Sequence, residues 1–170
     1  VSEEKISLAG GCFWCVEAVY LQIPGVLGVQ SGYMGGHTEN PSYKDICTGT
    51  TGHAEIIEIT YDPELLTLKE IFDVFWRSHD PTTLNRQGND QGTQYRSAIF
   101  TYNEEQKVAA LASREEAQAF FEDPIVTEIS DAAHFYPAEE YHHNYYQQNK
   151  SQPYCQMIIS PKLKKLGLTP

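Results

Sequence analysis

From Ala54 to Tyr61 the chain alternates. Ile57, Ile59 and Tyr61 fall on one side of an extended strand, Glu58 and Thr60 on the other. Strand side chains point to opposite faces in turn, so this segment commits to a sheet with a covered face. Asp62-Pro63 ends the strand, and the period changes at once. Thr67 with Glu70 reads as a capping box, and Leu68, Ile71, Phe72 and Phe75 recur behind it at helical spacing. A covered strand followed by a one-sided helix buries both apolar surfaces by packing the helix on the sheet.

The same two periods organise the rest. Ile6 to Ala9 reads as a short buried strand, broken by Gly10-Gly11 before a helix from about Phe13 to Gln22. Pro24-Gly25 is a turn, Val26 to Tyr33 a second strand, and Met34 to about Gly52 a loop. A polar loop from Asp80 to Thr93 leads to a strand at Tyr95 to Tyr102, and Asn103 caps a helix to about Phe121. Ile125 to Ile129 reads as a further strand. Pro137-Ala138-Glu139-Glu140 reads as a helix start, and the tail from about Lys150 as irregular. The order through residue 102, β-α-β-β-α-β, predicts an α+β two-layer sandwich. Its centre is a ferredoxin-like split β-α-β core with a mixed, mainly antiparallel sheet. No repeat or linker divides residues 1–170, so one domain is expected.

The chain has 170 residues, 41 % of them hydrophobic, which suffices for a core without disulfides or metals. Its net charge of −11 disfavours nucleic acid and anionic membranes as partners. No apolar run approaches the ~20 residues of a membrane span, and no signal-peptide pattern opens the chain. A cytoplasmic monomer is the expectation. Four cysteines (Cys12, Cys15, Cys47 and Cys155) are too few for a disulfide scaffold in a chain this size, so reduced thiols with a transient catalytic disulfide are expected.

Gly10-Gly11-Cys12-Phe13-Trp14-Cys15 lies at a strand-to-helix junction. There Cys12 meets unpaired N–H groups and the positive end of the helix dipole, which favour a nucleophilic thiolate. A buried structural cysteine is the plainer alternative. Phe13 and Trp14 suit the wall of an apolar pocket, or ordinary core packing. Cys12 and Cys15 also form a C-x-x-C pair, the local setting of a thioredoxin-like dithiol oxidoreductase. Glu55 shares the parity of Ile57, Ile59 and Tyr61. A carboxyl on that face is desolvated and stays protonated near neutral pH, able to donate to an oxygen; as a strand-end residue it could equally reach water. His53 beside it is a possible partner. The loop Asn85 to Arg96 is dense in donors and acceptors, as functional loops often are. Adjacent His142-His143 and the single C-x-x-C do not make metal-ligand spacing, so no metal is expected.

Taken together, these segments resemble the A-type peptide methionine sulfoxide reductases. The resemblance rests on Gly11-Cys12-Phe13-Trp14, Gly32-Tyr33 with Gly35-Gly36, Thr51-Gly52-His53-Ala54-Glu55, His79 to Asp90, Gly92 to Ser97, and Phe135 to His142. It covers most of the chain, in family order. It implies reduction of the S epimer of methionine sulfoxide, free or in oxidised proteins, without metal or organic cofactor. By that pattern Cys12 attacks the sulfoxide sulfur and becomes a sulfenic acid. Neutral Glu55 serves the sulfoxide oxygen, with Tyr43 and Tyr95 binding it and Asp90 at the same polar end. Phe13 and Trp14 receive the methyl group, and His53 is counted with them as substrate-binding. Cys155 resembles the tail cysteine that resolves the sulfenic acid, with thioredoxin reducing the disulfide. Cys15 stands where many relatives have Gly, and Cys47 is expected to be structural.

Overall fold

The computed structural model describes residues 3–88 and 90–170; Asn89 of the polar loop and residues 1 and 2 of the expected domain lie outside the described residues. Strand β1 (Glu4–Gly10) leads into helix α1 (Phe13–Tyr20), then β2 (Val26–Met34), a short α2 (Tyr43–Cys47), β3 (Ala54–Tyr61) and α3 (Leu68–Ser78). A small hairpin, β4 (Arg86–Gln87) and β5 (Asp90–Gln91), precedes β6 (Ser97–Thr101), α4 (Glu104–Ala117), β7 (Glu128–Asp131) and β8 (Tyr136–Pro137). Helices α5 (Tyr145–Gln148) and α6 (Ser160–Lys165) complete the chain.

The main sheet runs β7-β6-β1-β3-β2-β8. Its inner four strands, β6-β1-β3-β2, are antiparallel throughout. That is the split β-α-β order expected from the alternation of periods. β7 adds in parallel beside β6, and β8 adds antiparallel beside β2. Ile6, Leu8, Ile57, Ile59, Tyr61 and Ile99 cover one sheet face and pack against Val16, Val19, Phe72 and Phe75 of α1 and α3. The opposite face at the other parity holds Ala9, Met34, Ala54, Ile56, Ala98 and Phe100, under Ala132 and Phe135. The Thr67–Glu70 capping box is present in both directions, and Asn103 accepts from Gln106 N–H as the cap of α4.

Several expectations change, among them the strand expected at Ile125 to Ile129, which lies at Glu128–Asp131 where it pairs with β6. The loop after β2 contains α2, started by a Ser42–Asp45 capping box; five residues are too few to show a periodic stripe. The strand expected from Tyr95 begins at Ser97, because Thr93–Tyr95 form a 3-10 turn. Pro137 does not open a helix. It sits in edge strand β8 opposite Gly32, where a missing N–H is tolerated, and a 3-10 turn follows at Glu140–His142. The tail is not irregular: Cys155–Ile159 form a wide π-type turn continuing into α6. Cys155, Ile159 and Leu163 recur every four residues and are all fully buried against the α1 side of the core. Pro153 and Pro161 mask that stripe in the sequence.

A Cβ at Gly32 would collide with the Phe135 ring and the Tyr136 carbonyl. Gly32→Ala should therefore lift β8 off β2 and lower the urea unfolding free energy by roughly 1–3 kcal/mol, the usual cost of overpacking. An unchanged unfolding midpoint would show that this edge yields freely.

Candidate active site

The site forms where β1 turns into α1. Gly11 holds a positive φ of 93°, and a Cβ there would lie 2.7 Å from Cγ of Gln87. Only glycine lets the polar loop approach the thiol so closely. Gln87 in turn braces that loop, accepting from the Asp80 amide and donating to its carbonyl. Cys12 is the residue before the first helical turn, and its carbonyl accepts from the amides of Cys15 and Val16.

The first free amide of α1, Phe13 N–H, donates to Glu55 Oε1 at 3.2 Å. Glu55 is 1 % exposed, and its Oε2 has no partner among the described residues. Burial pushes its carboxyl up to about 8, with Asp90 adding to the rise against the pull of the Phe13 amide. Glu55 thus lies on the covered face that its parity implies, with burial favouring the neutral carboxyl, one oxygen held and the other without a partner among the described residues. Tyr43 and Tyr95 lie near enough for Glu55 and Cys12 to raise their phenols beyond what burial does, so both remain O–H donors. Asp90 accepts from Tyr154 O–H at 2.9 Å.

Phe13 is buried among Tyr33, Tyr43 and His142, with ring centroids 5.7, 6.4 and 5.2 Å away. Trp14 stacks on Tyr145 at 3.8 Å and 9°, and its Nε1 donates to His142 Nδ1 at 3.0 Å. These rings make an aromatic box beside the thiol. His53 is placed differently from expectation. Its Nδ1 accepts from Gly36 N–H at 2.9 Å and its Nε2 meets the Thr38 carbonyl at 2.7 Å. Both ring nitrogens are occupied by the loop after β2, so His53 shapes that loop.

The four cysteines are free. The helix start does not by itself make Cys12 a thiolate: burial, the contact with Cys15 and the nearness of Glu55 push its thiol well up. The Cys12 hydrogen bond, with Lys162 and Tyr154, instead pulls Cys15 down to about 7 despite its burial. Cys12, Cys15, Gln87, Asp90, Tyr154 and Lys162 line a cleft of about 350 Å³. Cys155 is fully buried behind it, and Cys47 is exposed at the end of α2. Sequence reading did not single out Tyr154, Lys162, Tyr145 or His142 for the site. Only His142 lay in a segment with a readable pattern.

A family model described as peptide methionine sulfoxide reductase matches residues 4–168. A peptide methionine sulfoxide reductase MsrA of Acinetobacter baumannii (strain AYE) is 58 % identical over 96 % of this chain and 94 % of its own length. The crystal structure of Mxr1 from Saccharomyces cerevisiae in reduced form superposes with a TM-score of 0.86 at 38 % identity, covering 90 % of this chain and 89 % of that one. Mxr1 in complex with Trx2 matches with a TM-score of 0.61 at 26 % identity, over 84 % of each chain.

The raised Glu55 carboxyl has a pH signature. Its folded pKa of about 8 exceeds the ordinary 4.5, so the stability it favours is full below pH 4.5 and is lost as pH rises to about 8. Glu55→Gln should remove that loss in chemical denaturation across the range. If proton donation matters, the parent's single-turnover rate should fall above about pH 8. The variant should be slower by ~10²-fold and lack that limb. A parent rate flat from about pH 6 to 9, a range bracketing such an acid, would rule the acid role out.

Proposed function

The chain belongs to the peptide methionine sulfoxide reductase family, enzymes that reduce methionine sulfoxide with a thiol, and on that premise we propose that Cys12 is the nucleophile and Glu55 the acid. The observation that carries the reading is the neutral, half-satisfied Glu55 carboxyl bonded to the amide next to Cys12. One domain spanning the matched residues holds every group required.

The methyl group of the S epimer, in free methionine sulfoxide or an oxidised protein, enters the box of Phe13 and Trp14. Glu55 Oε2 and the Tyr43 and Tyr95 hydroxyls receive the oxygen. Asp90 holds the polar end through Tyr154. Cys12 attacks the sulfoxide sulfur as its proton passes to the Cys15 thiolate, and Glu55 protonates the oxygen. Methionine then leaves and the oxygen remains on Cys12 as a sulfenic acid.

The next step is a thiol condensation that releases water and leaves a disulfide. Cys155 was expected to resolve the sulfenic acid from its likeness to the family's tail cysteine and from an irregular tail; with all four thiols free it is buried in a helical turn. Cys15 lies within the first turn after Cys12 and lines the same cleft, and C-x-x-C spacing meets the ~7 Å Cα limit of a disulfide. We assign the first bridge to Cys12–Cys15 and a later exchange to Cys155, which lies near enough for Cys15 to raise its thiol further. A thioredoxin-type dithiol closes the cycle, as the yeast Mxr1–Trx2 complex suggests for this chain. The free thiols fit a reducing compartment such as the cytoplasm, and no described helix is long and apolar enough to cross a membrane.

Cys12→Ser should release no methionine in a single turnover, while Cys15→Ser, which lacks the proposed proton acceptor, should still release up to one equivalent per enzyme at a lower rate. Peptide mapping after one turnover without reductant should find Cys12 bridged to Cys15. A Cys12–Cys155 bridge with Cys15 alkylated would return the resolving role to the tail cysteine.

A further inference from the structure

We propose that Glu139 is a positioning residue that sets the place of Tyr43 in the site. Its carboxylate joins two site tyrosines: Oε1 accepts from Tyr33 O–H at 3.2 Å, and Oε2 accepts from Tyr43 N–H at 3.0 Å. Tyr33 belongs to β2 and packs on Phe13, whereas Tyr43 is the first residue of α2. One carboxylate therefore ties a short helix to the sheet.

The need for such a tie follows from the length of α2. A five-residue helix is not stable alone. Its other restraints are the exposed Ser42–Asp45 box, which acts within the helix, and buried Ile46 on its next turn. Ile46 fixes how deeply α2 sits. The ring of Tyr43, at the start of the helix, must still be aimed between Phe13 and His142, 6.4 and 4.3 Å away. Glu139 sets the Tyr43 backbone at that point. Its bonds from the Tyr43 amide and the Tyr33 hydroxyl outweigh its partial burial and hold the carboxyl below its usual range. It is thus charged throughout the neutral range, as suits an acceptor facing the first amide of a helix. Glu139 also stands three residues before His142, so the turn that places it places the acceptor of the Trp14 indole as well.

The inference rests on the reading that Tyr43 binds the sulfoxide oxygen, and the test separates the two. KM and kcat for free methionine sulfoxide would be measured with dithiothreitol for the parent, Tyr43→Phe, Glu139→Ala, Glu139→Gln and both Glu139 variants combined with Tyr43→Phe. Glu139→Ala should raise KM about tenfold, the scale of one lost charge-assisted hydrogen bond. Glu139→Gln, whose amide oxygen still serves the Tyr43 N–H, should stay within about threefold on the same scale. In the Tyr43→Phe background, where the hydroxyl is already gone, either Glu139 change should add less than about twofold, because coupled residues are not additive. A loss from Glu139→Ala that is fully additive with Tyr43→Phe would overturn the proposal. So would unchanged kinetics in Glu139→Ala while Tyr43→Phe is impaired. If Tyr43→Phe itself costs nothing, the oxygen-binding reading fails instead, and this inference falls with it. Should Glu139→Ala not fold, the glutamine cycle decides by itself: a loss of tenfold or more in Glu139→Gln that persists in Tyr43→Phe is the overturning result.

Discussion

The Phe13 amide and the Glu55 carboxyl meet at 3.2 Å across the covered face of the sheet. That contact joins the helix that follows Cys12, the proposed nucleophile, to the strand that carries Glu55, the proposed acid. It satisfies one of the orphan donors that every helix start leaves, and it draws on a carboxyl that the strand's parity has already forced into the interior. Cys12 is therefore held beside the acid by two backbones. With Oε1 engaged, Oε2 alone is left facing the site. Were the helix capped by a serine or threonine in the ordinary way, that carboxyl would have no partner and little reason to remain buried.

Around this joint, burial sets the protonation of each group. Desolvation opposes charge, so it raises Glu55, Cys12 and the two nearby tyrosines together. The helix dipole acts on Cys12 in the other direction and loses, because the thiol is nearly shut off from water and a second acidic group adjoins it. One turn along the helix the balance at Cys15 runs the other way, where Cys12, Lys162 and Tyr154 pull the thiol down against its burial. Two of those three come from the tail. The C-terminal segment, remote in sequence, thus acts on the thiols at the helix start as well as covering α1.

The pocket walls come from segments with little regular structure of their own. Tyr43 rides on a five-residue helix, His142 on a 3-10 turn and Tyr145 on a four-residue helix. Such pieces hold position only through contacts with other parts of the chain. Here these are the Trp14–Tyr145 stack, the Trp14–His142 hydrogen bond and the paired bonds to Glu139.

Local pattern alone determined a good part of this protein. The alternation in 54–61, the Thr67–Glu70 box and the glycines before Cys12 yield the split β-α-β core, the buried side of Glu55 and the helix-start place of the nucleophile. Each depends on neighbours within one strand or one turn. Residues 153–165 looked irregular because two prolines break the pattern, and their helix forms because Cys155, Ile159 and Leu163 find α1 to pack against. Pro137 carries the signs of a helix start, yet the open edge of β2 claims it as a strand. His53 stands two residues before Glu55, yet it lies ahead of β3 and two backbone partners hold it to the loop after β2. Which groups surround the two thiols at the helix start, and how far each is shut off from water, was decided only by the tertiary structure, since burial and long-range contacts are properties of the packed chain rather than of any stretch of it.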